Sequence, residues 1–185
     1  MKNKNKYSVQ FFELLNPMLN NLSNYARAIC RNDEDAKDLV QDTIINAYNN
    51  FDKLRDEKSF LSFLFTIASR LHRKNQKRAF FIRKNKDSIL SYIQTQNDNN
   101  NKHDINVLYN LLSKLPDKQK EAIILFEING FSINEIRKIQ GGTISGVKSR
   151  LRRARERLKA LLANDINIIE NRIEEITTMN ENINY

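Results

Sequence analysis

The stretch that decides the fold of this 185-residue chain is Gly142-Thr-Ile-Ser-Gly-Val-Lys-Ser-Arg-Leu-Arg-Arg-Ala-Arg-Glu-Arg-Leu158. Its apolar residues recur at spacings of three and four, which predicts one buried face of an α-helix. They are Ile144, Val147, Leu151, Ala154 and Leu158. The other faces are basic, with Glu156 as the only acid. A helix with this charge favours a polyanionic partner, and duplex DNA is the commonest one.

The residues before this stretch complete a helix-turn-helix. Ser132-Ile-Asn-Glu135 fits a capping box, in which serine and glutamate satisfy each other's free backbone donors at a helix start. Ile133, Ile136 and Ile139 give the short helix one apolar stripe, and Gly141-Gly142 ends it. A solvated basic face on a packed helix is the ordinary alternative. The helix cap, the glycine turn and the basic face follow one another in the order and spacing of a helix-turn-helix. We therefore favour DNA binding by the second helix.

The composition narrows the classes of function. A net charge of +9 and a pI of about 9.7 favour nucleic acid or an anionic surface as partner. No apolar run has the length of a membrane span and no signal-peptide core follows the N-terminus, so we expect a cytoplasmic protein without membrane insertion. The single Cys30, two histidines and four glycines leave no disulfide, metal cluster or phosphate loop. We therefore expect no cofactor, no metal, no catalytic residue and no enzymatic activity.

Charge and polarity divide the chain into segments. Residues 33–42 are acidic, residues 70–86 are basic, and residues 94–104 are polar throughout, which is typical of a linker. Strand-like alternation is absent and proline and glycine are scarce, so the expected fold is all-α. It consists of two small helical domains joined by a flexible linker, with the helix-turn-helix in the second. The expected boundaries are 7–86, a linker 87–103, 104–162, and a tail 163–185 whose spaced isoleucines can continue a helix.

Three helices are predicted in the first domain. One begins at Asn16-Pro17 and runs to about Cys30, one is capped by Asn32, and one is capped by Ser59. The inward residues of the second are Val40, Ile44, Ala47, Tyr48 and Phe51, and those of the third are Leu61, Leu64, Phe65, Ala68 and Leu71. The second helix also carries Glu34, Asp38 and Asp42 four residues apart, a destabilising like-charge stripe. This stripe indicates either a positively charged partner or a solvated face.

Aromatic residues are interleaved with the cations of the third helix. Phe60, Phe63 and Phe80-Phe81 suit a separated nucleic-acid strand, because every base has a face on which a ring can stack. The alternative is that these rings complete the core, which we favour for Phe63 over Phe60 and Phe80.

Taken in order, the motifs of the chain resemble those of bacterial RNA polymerase sigma factors of the small, two-domain extracytoplasmic-function class. The resemblance covers residues from about 8 to 162. In the first half the matching stretches are Asp35-Ala-Lys-Asp-Leu-Val-Gln-Asp-Thr43 and Phe60-Leu-Ser-Phe-Leu-Phe-Thr-Ile-Ala68. In the second half they are Leu115-Pro-Asp-Lys-Gln-Lys-Glu121, Gly130-Phe-Ser-Ile-Asn-Glu-Ile136 and Val147-Lys-Ser-Arg-Leu-Arg-Arg-Ala-Arg155.

The resemblance implies partners and site residues. Core RNA polymerase would bind a docking surface that consists of Asp35, Asp38, Leu39 and Gln41. The basic helix would open and read the minus-ten promoter element through Arg70, Arg73, Lys74, Lys77 and Arg78. The second helix of the helix-turn-helix would read the minus-thirty-five element through Ser145, Lys148, Ser149, Arg152, Arg153 and Arg157. An anti-sigma factor is expected as a further partner.

Three residues depart from the family pattern. Arg137 and Gly146 stand where the family prefers alanine and threonine, and Lys74 stands where an acid is common. Two other functions remain as alternatives: a sigma-like mimic that binds an anti-sigma protein, and a stand-alone activator that uses only the helix-turn-helix. The basic faces argue against the mimic, and the acidic stripe against the activator. As a random coil, the linker would have an end-to-end distance on the order of 25 Å. The two DNA-binding helices could then occupy well-separated sites on one duplex.

Overall fold

The computed structural model describes residues 2–54, 56–85 and 103–183, with side chains for 7–54, 56–79 and 107–164. Within these ranges the chain forms eight α-helices and no strand, so the all-α prediction is confirmed. The helices are α1 Lys2–Leu15, α2 Leu19–Ile29, α3 Asp33–Asn49, α4 Phe60–Asn85, α5 His103–Ser113, α6 Asp117–Ile123, α7 Ile133–Gln140 and α8 Ile144–Ile183. Short 3₁₀ turns lie at Asn16–Met18, Phe51–Lys53 and Glu57–Ser59, and a π-helical turn at Ile124–Ile128 follows α6.

The first half is a bundle in which α3 packs against α2 and α4. The predicted cap of α3 is confirmed, since Asn32 Oδ1 accepts a hydrogen bond of 2.7 Å from the Asp35 backbone N–H. Thr43 is buried on the same helix and satisfies its hydroxyl by donating to the Leu39 carbonyl at 2.6 Å. This packing fixes which face of α3 is left for partners.

Two of the predicted caps are wrong. The chain is already helical at Leu15, where α1 ends, so Asn16 continues into a 3₁₀ turn and makes no side-chain cap. Before α4, the Asp56 carboxylate caps the 3₁₀ turn Glu57–Ser59 by accepting from the Lys58 backbone N–H. The Ser59 hydroxyl instead donates to the Asp56 carbonyl at 2.7 Å.

The expectation for Phe60 is wrong, whereas Phe63 packs against the core as expected. Phe60 is buried, with its ring 5.8 Å from Phe11 and 6.0 Å from Phe51, whereas Phe63 is half-buried. The turns that precede α4 fold the chain back so that the first residue of α4 enters the aromatic cluster. Phe60 therefore belongs to the core and offers no ring to a nucleic acid. Phe80-Phe81 lie outside the residues whose side chains are described.

The helix-turn-helix is formed by α7 and α8. The capping box is confirmed: the Glu135 carboxylate accepts from the Ser132 backbone N–H at 2.9 Å, and the Ser132 hydroxyl caps α7. Gly141 and Gly142 adopt φ values of +77° and +92°, which residues with a Cβ rarely take. The predicted apolar stripe of α8 is buried at Val147, Leu151 and Ala154 and half-buried at Leu158.

One residue of that stripe was wrongly predicted. Ile144 is 44% exposed, because it is the first residue of α8 and lies outside the packed part of the helix. Arg137, on α7, is exposed and so leaves the contact between the two helices undisturbed.

The two halves of the chain share one apolar core. Helix α4 packs against α7, and α2 packs against the π-helical turn. The ring of Phe131, which precedes α7, lies 4.7 Å from the ring of Phe65 on α4. Of the predicted linker 87–103, all but His103 lies outside the described residues, and α8 continues as a helix into the predicted tail as far as Ile183.

Candidate polymerase and nucleic-acid interfaces

The outer face of α3 presents carboxylates. Asp35, Asp38 and Gln41 are exposed there, and the Asp35 carboxylate accepts a 3.1 Å hydrogen bond from Asn32 Nδ2. Leu39, the fourth predicted docking residue, is only 2% exposed and packs into the core. The structure therefore brings three of the four side chains to one surface and places the fourth beneath it.

A cleft of mixed charge runs beside this face. Asp38 and Asp42 of α3 form one wall, Lys77 and Arg78 of α4 form the other, and Asp117 of α6 closes one end. The sequence predicted the acidic and basic surfaces separately. Their proximity follows from the packing of α3 against α4.

The cations of α4 differ in the exposure of their side chains and in the hydrogen bonds that these side chains make. The side chains of Arg70, Lys74, Lys77 and Arg78 are exposed. Arg73 is half-buried, and its guanidinium donates to the Ser69 hydroxyl at 2.9 Å and to the Ser69 carbonyl at 3.2 Å. It also donates to the carbonyls of Ile139 and Gln140, the last residues of α7, at 3.4 Å and 3.5 Å. Four of the five predicted cations thus form an exposed surface, and the fifth is engaged by the other half of the chain.

The predicted reading face of α8 is open to solvent. Ser145, Lys148, Arg152, Arg153 and Arg157 are exposed and Ser149 is half-buried. They lie on faces of the helix other than the one that buries Val147, Leu151 and Ala154. An exposed ion pair of 2.8 Å joins Arg152 to Glu156 one turn later. The early turns of α8 therefore expose the hydroxyls and cations that base edges and phosphates require.

Three residues around this face were missed by the sequence analysis. Thr143 caps α8, its hydroxyl accepting from the Gly146 backbone N–H at 3.0 Å. Arg150 donates to the Gly141 carbonyl at 3.4 Å across the turn. Arg155 pairs with Glu127 at 2.7 Å and lies over the Phe126 ring. Only Thr143 had a recognisable signal, a threonine directly before a helical run.

Cys30 and His72 are the one thiol and imidazole in proximity among the residues described. Cys30 Sγ lies 3.9 Å from His72 Nδ1. Burial raises the pKa of the Cys30 thiol to about 12 and lowers the pKa of His72. A reactive cysteine needs the opposite shift, a lowered thiol pKa, so this pair is not an activated nucleophile. The described residues also contain no group of side chains that could hold a metal ion. No described helix is long and apolar enough to span a membrane.

A buried polar cluster, also missed, connects the two halves. The Tyr25 hydroxyl donates to Glu121 Oε1 at 3.0 Å, and Lys120 Nζ donates to the Ile29 carbonyl at 2.8 Å. Burial raises the pKa of Tyr25 well above its usual value, with the Glu121 carboxylate as a further cause, and burial lowers the pKa of Lys120. These groups lie far apart in the sequence and follow no periodic pattern.

Models of sigma-70 region 2 and of sigma-70 region 4 match residues 14–79 and 105–158. The ECF RNA polymerase sigma factor EcfG of Rhodopseudomonas palustris is 32% identical over 139 residues, which cover 75% of this chain and 77% of EcfG. The RNA polymerase sigma factor YlaC of Bacillus subtilis is 34% identical over 132 residues, covering 68% of this chain and 76% of YlaC.

Solved structures of similar fold include the sigma factor RpoE of Bartonella quintana in complex with the anti-sigma factor NepR. The TM-score is 0.67 at 28% identity, and the match covers 83% of this chain and 97% of RpoE. CnrH in complex with the cytosolic domain of CnrY has a TM-score of 0.64 at 26% identity, covering 84% and 88% of the two chains. The matched regions contain both the acidic helix and the helix-turn-helix, and the chain belongs to the extracytoplasmic-function (ECF) family of RNA polymerase sigma factors.

Proposed function

We propose that this sigma factor divides promoter recognition between its two helical domains, residues 7–86 and 104–162. As an ECF sigma factor, the protein binds core RNA polymerase and directs it to promoters for transcription initiation. The first domain docks on polymerase and engages the minus-ten element, and the second reads the minus-thirty-five element. One observation carries the proposal: the first turns of α8 bury Val147 and expose Ser145 and Lys148.

The polymerase-docking surface is the acidic face of α3. Asp35, Asp38 and Gln41 are its exposed members, and Leu39 supports it from the core. An acidic stripe on a chain of net charge +9 is costly by itself, since like charges four residues apart destabilise a helix by ~0.2–0.5 kcal/mol per pair. A basic surface on the clamp of the largest polymerase subunit would offset this cost.

The DNA-binding surfaces are the basic helices. The exposed cations of α4 face the separated strand of the minus-ten element, where they neutralise phosphates. Ser145, Lys148, Ser149 and Arg152 of α8 approach base edges in the major groove of the minus-thirty-five element. Arg153 and Arg157 lie toward the flank and hold phosphates. In this scheme neither domain catalyses a reaction, and the protein acts in the cytoplasm.

An anti-sigma factor is proposed as a further partner. The two similar solved structures, RpoE and CnrH, are both described as complexes, the former with an anti-sigma factor and the latter with a cytosolic domain. A protein of this kind would silence the chain by covering the surfaces that polymerase and promoter need.

The test is reconstituted transcription with purified core polymerase and promoters selected from a genomic library. We expect polymerase with this protein to protect two promoter elements from nuclease and to expose thymines near the start site to permanganate. Lys77→Ala and Arg73→Ala should each lower the permanganate reactivity while polymerase binding is retained. Polymerase that binds the protein but neither protects nor opens any promoter would contradict the proposal.

The sigma-like mimic is the second candidate, and the contact between Arg73 and α7 favours it, because a mimic would keep that cation occupied. A mimic should bind an anti-sigma protein and leave promoter DNA unprotected in the same footprinting assay. Transcription from a defined start site would exclude it.

A further inference from the structure

An apolar groove with a volume of about 620 Å³ lies between α5 and the middle of α8. It is lined by Leu108 and Leu112 of α5, by Ile128 of the π-helical turn, and by Leu158 and Leu162 of α8. Leu108, Ile128 and Leu162 are 43%, 38% and 47% exposed. Three large apolar side chains exposed around one groove indicate a surface that binds an apolar partner.

The apolar side of this groove continues in the sequence of α8. The helix has 40 residues and is about 60 Å long at ~1.5 Å per residue, whereas α5, α6 and α7, against which it packs, have 11, 7 and 8 residues. From Leu162 onward the residues at alternating spacings of four and three are Ile166, Ile169, Ile173, Ile176, Asn180 and Ile183. A seven-residue apolar repeat of this kind, with one asparagine in it, is typical of a helix that pairs with another helix in a coiled coil.

The charge of α8 reverses along its length. The proximal part, residues 144–160, has seven cations and one acid, for a net charge of +6. The distal part, residues 161–183, has five acids and one cation, for a net charge of −4. A second α8 lying antiparallel to the first brings each distal part toward the proximal part of the other copy, whereas a parallel one brings like charges together. Charge complementarity therefore favours a second copy of this chain, in the antiparallel orientation.

The same orientation brings the distal part to the groove. Antiparallel helices centred near Ile169 place residues 173–183 of each copy beside residues 155–165 of the other. This second range contains Leu158 and Leu162 of the groove. It also contains the exposed cation Lys159, which lines the groove as well. The isoleucine repeat thus meets the apolar groove, and the acidic end of α8 meets a basic rim.

We propose that two copies of this chain associate through antiparallel α8 helices, with the groove of each copy receiving the distal part of α8 from the other. Both copies use the same two surfaces, so the interface is self-complementary and association stops at two. The residues that line the groove are not among those assigned above to polymerase or DNA. The inference therefore goes beyond promoter recognition and does not depend on it.

Sedimentation equilibrium of the full chain tests the association. The average mass should rise with concentration from 21.8 kDa toward twice that value and no further. Ile169→Asn places an amide in the isoleucine repeat and should raise the dissociation constant at least about tenfold. Ile168→Asn is the matched control, because the adjacent Ile168 lies outside the repeat and should leave the constant unchanged.

A second pair of variants tests the groove. Leu108→Asn should weaken association as Ile169→Asn does, because Leu108 lines the groove. Val107→Asn is the matched control: Val107 lies on the same helix, is 44% exposed and does not line the groove, so this variant should associate as the parent does. Circular dichroism and thermal melting of each variant exclude unfolding as the cause of a lower mass.

Cross-linking determines the orientation. In a Cys30→Ala background, chains with Ala163→Cys are mixed with chains with Thr177→Cys and treated with a short bis-maleimide. Antiparallel helices predict cross-links mainly between the two kinds of chain, and parallel helices predict cross-links within each kind.

Three results would overturn the proposal, and none of them affects the proposed function. The first is a parent protein that still has the mass of one chain at ~100 µM. The second is equal association of Leu108→Asn and Val107→Asn, or of Ile169→Asn and Ile168→Asn. The third is cross-linking only within each kind of chain. If the protein stays monomeric and Leu108→Asn instead weakens binding to core polymerase, the groove belongs to polymerase. Conversely, a protein that dimerises as described but directs no transcription would retain this interface and contradict the promoter-recognition proposal.

Discussion

The base-reading assignment on α8 leads to the most specific expectation, the consequence of removing Lys148 or Arg152. Both side chains are exposed on the early turns of the helix, whereas Arg157 lies more than one turn farther along. A side chain that reads a base edge contributes ~1–3 kcal/mol of discrimination at one position. Lys148→Ala and Arg152→Ala should therefore each relax one position of the preferred upstream sequence.

The structure lowers the magnitude expected for Arg152. Its guanidinium is 2.8 Å from the Glu156 carboxylate, and both side chains are mostly exposed. An exposed helical ion pair of this spacing contributes ~0.3–0.5 kcal/mol, which Arg152 loses when it turns to a base. The net effect of Arg152→Ala is then ~0.5–2.7 kcal/mol, or about 2- to 100-fold in relative promoter affinity.

Arg157→Ala is the matched control because it removes a cation assigned to a phosphate. It should weaken all promoters alike and reduce the slope of log affinity against log salt by ~0.9 for one duplex phosphate. The assay selects active promoters from a library randomised in the upstream element, using polymerase reconstituted with each variant. If Lys148→Ala and Arg152→Ala select the parental sequence as Arg157→Ala does, the reading face has been placed wrongly.

Three further expectations concern docking, the cap of α7 and the thiol. Asp38→Lys should weaken binding to core polymerase and leave helix content by circular dichroism unchanged; equal affinity would remove the acidic face as the docking surface. Ser132→Ala should cost about 1 kcal/mol in denaturant unfolding, as lost N-caps do. Donation from Ser132 lowers the pKa of Glu135, so its stabilisation is present above the ordinary carboxyl pKa and is lost as pH falls through the lowered value; Glu135→Gln should abolish that acid dependence. Because burial raises the pKa of Cys30 to about 12, iodoacetamide at pH 8 should alkylate the folded protein far more slowly than the unfolded chain, and equal rates would contradict the burial.

Much of the second half could be predicted because its signals are local. A serine and a glutamate three residues apart, a glycine pair and an apolar stripe at helical spacing each depend on neighbours within one or two turns. Ser132, Gly141 and Val147 accordingly lie where the sequence placed them. The predicted burial of Ile144 is wrong because this residue lies at the helix end, where the apolar spacing continues but no other element packs against it.

The errors in the first half have a different physical cause. Leu39 belongs to a family-like motif and was assigned to the docking surface as one of a group, but the face of α3 that packs on α2 and α4 includes it. Phe60 falls off the apolar stripe of its own helix, yet the turns before α4 bring it between Phe11 and Phe51. Burial that depends on another element's position cannot be read from the period of one helix.

The contacts between the two halves of the chain could not be predicted from the sequence, and they distinguish Arg73 from the other cations of α4. Arg73 lies 66 residues from Ile139, and Lys120 lies 91 residues from Ile29, so no local pattern joins them. In the sequence, all five cations of α4 are equivalent members of one basic run. The fold divides them into four whose side chains are exposed and one, Arg73, whose guanidinium contacts the last carbonyls of α7. If Arg73 does bind a DNA strand as proposed, it must first leave a helix C-terminus, a conformational cost that the four exposed cations do not carry.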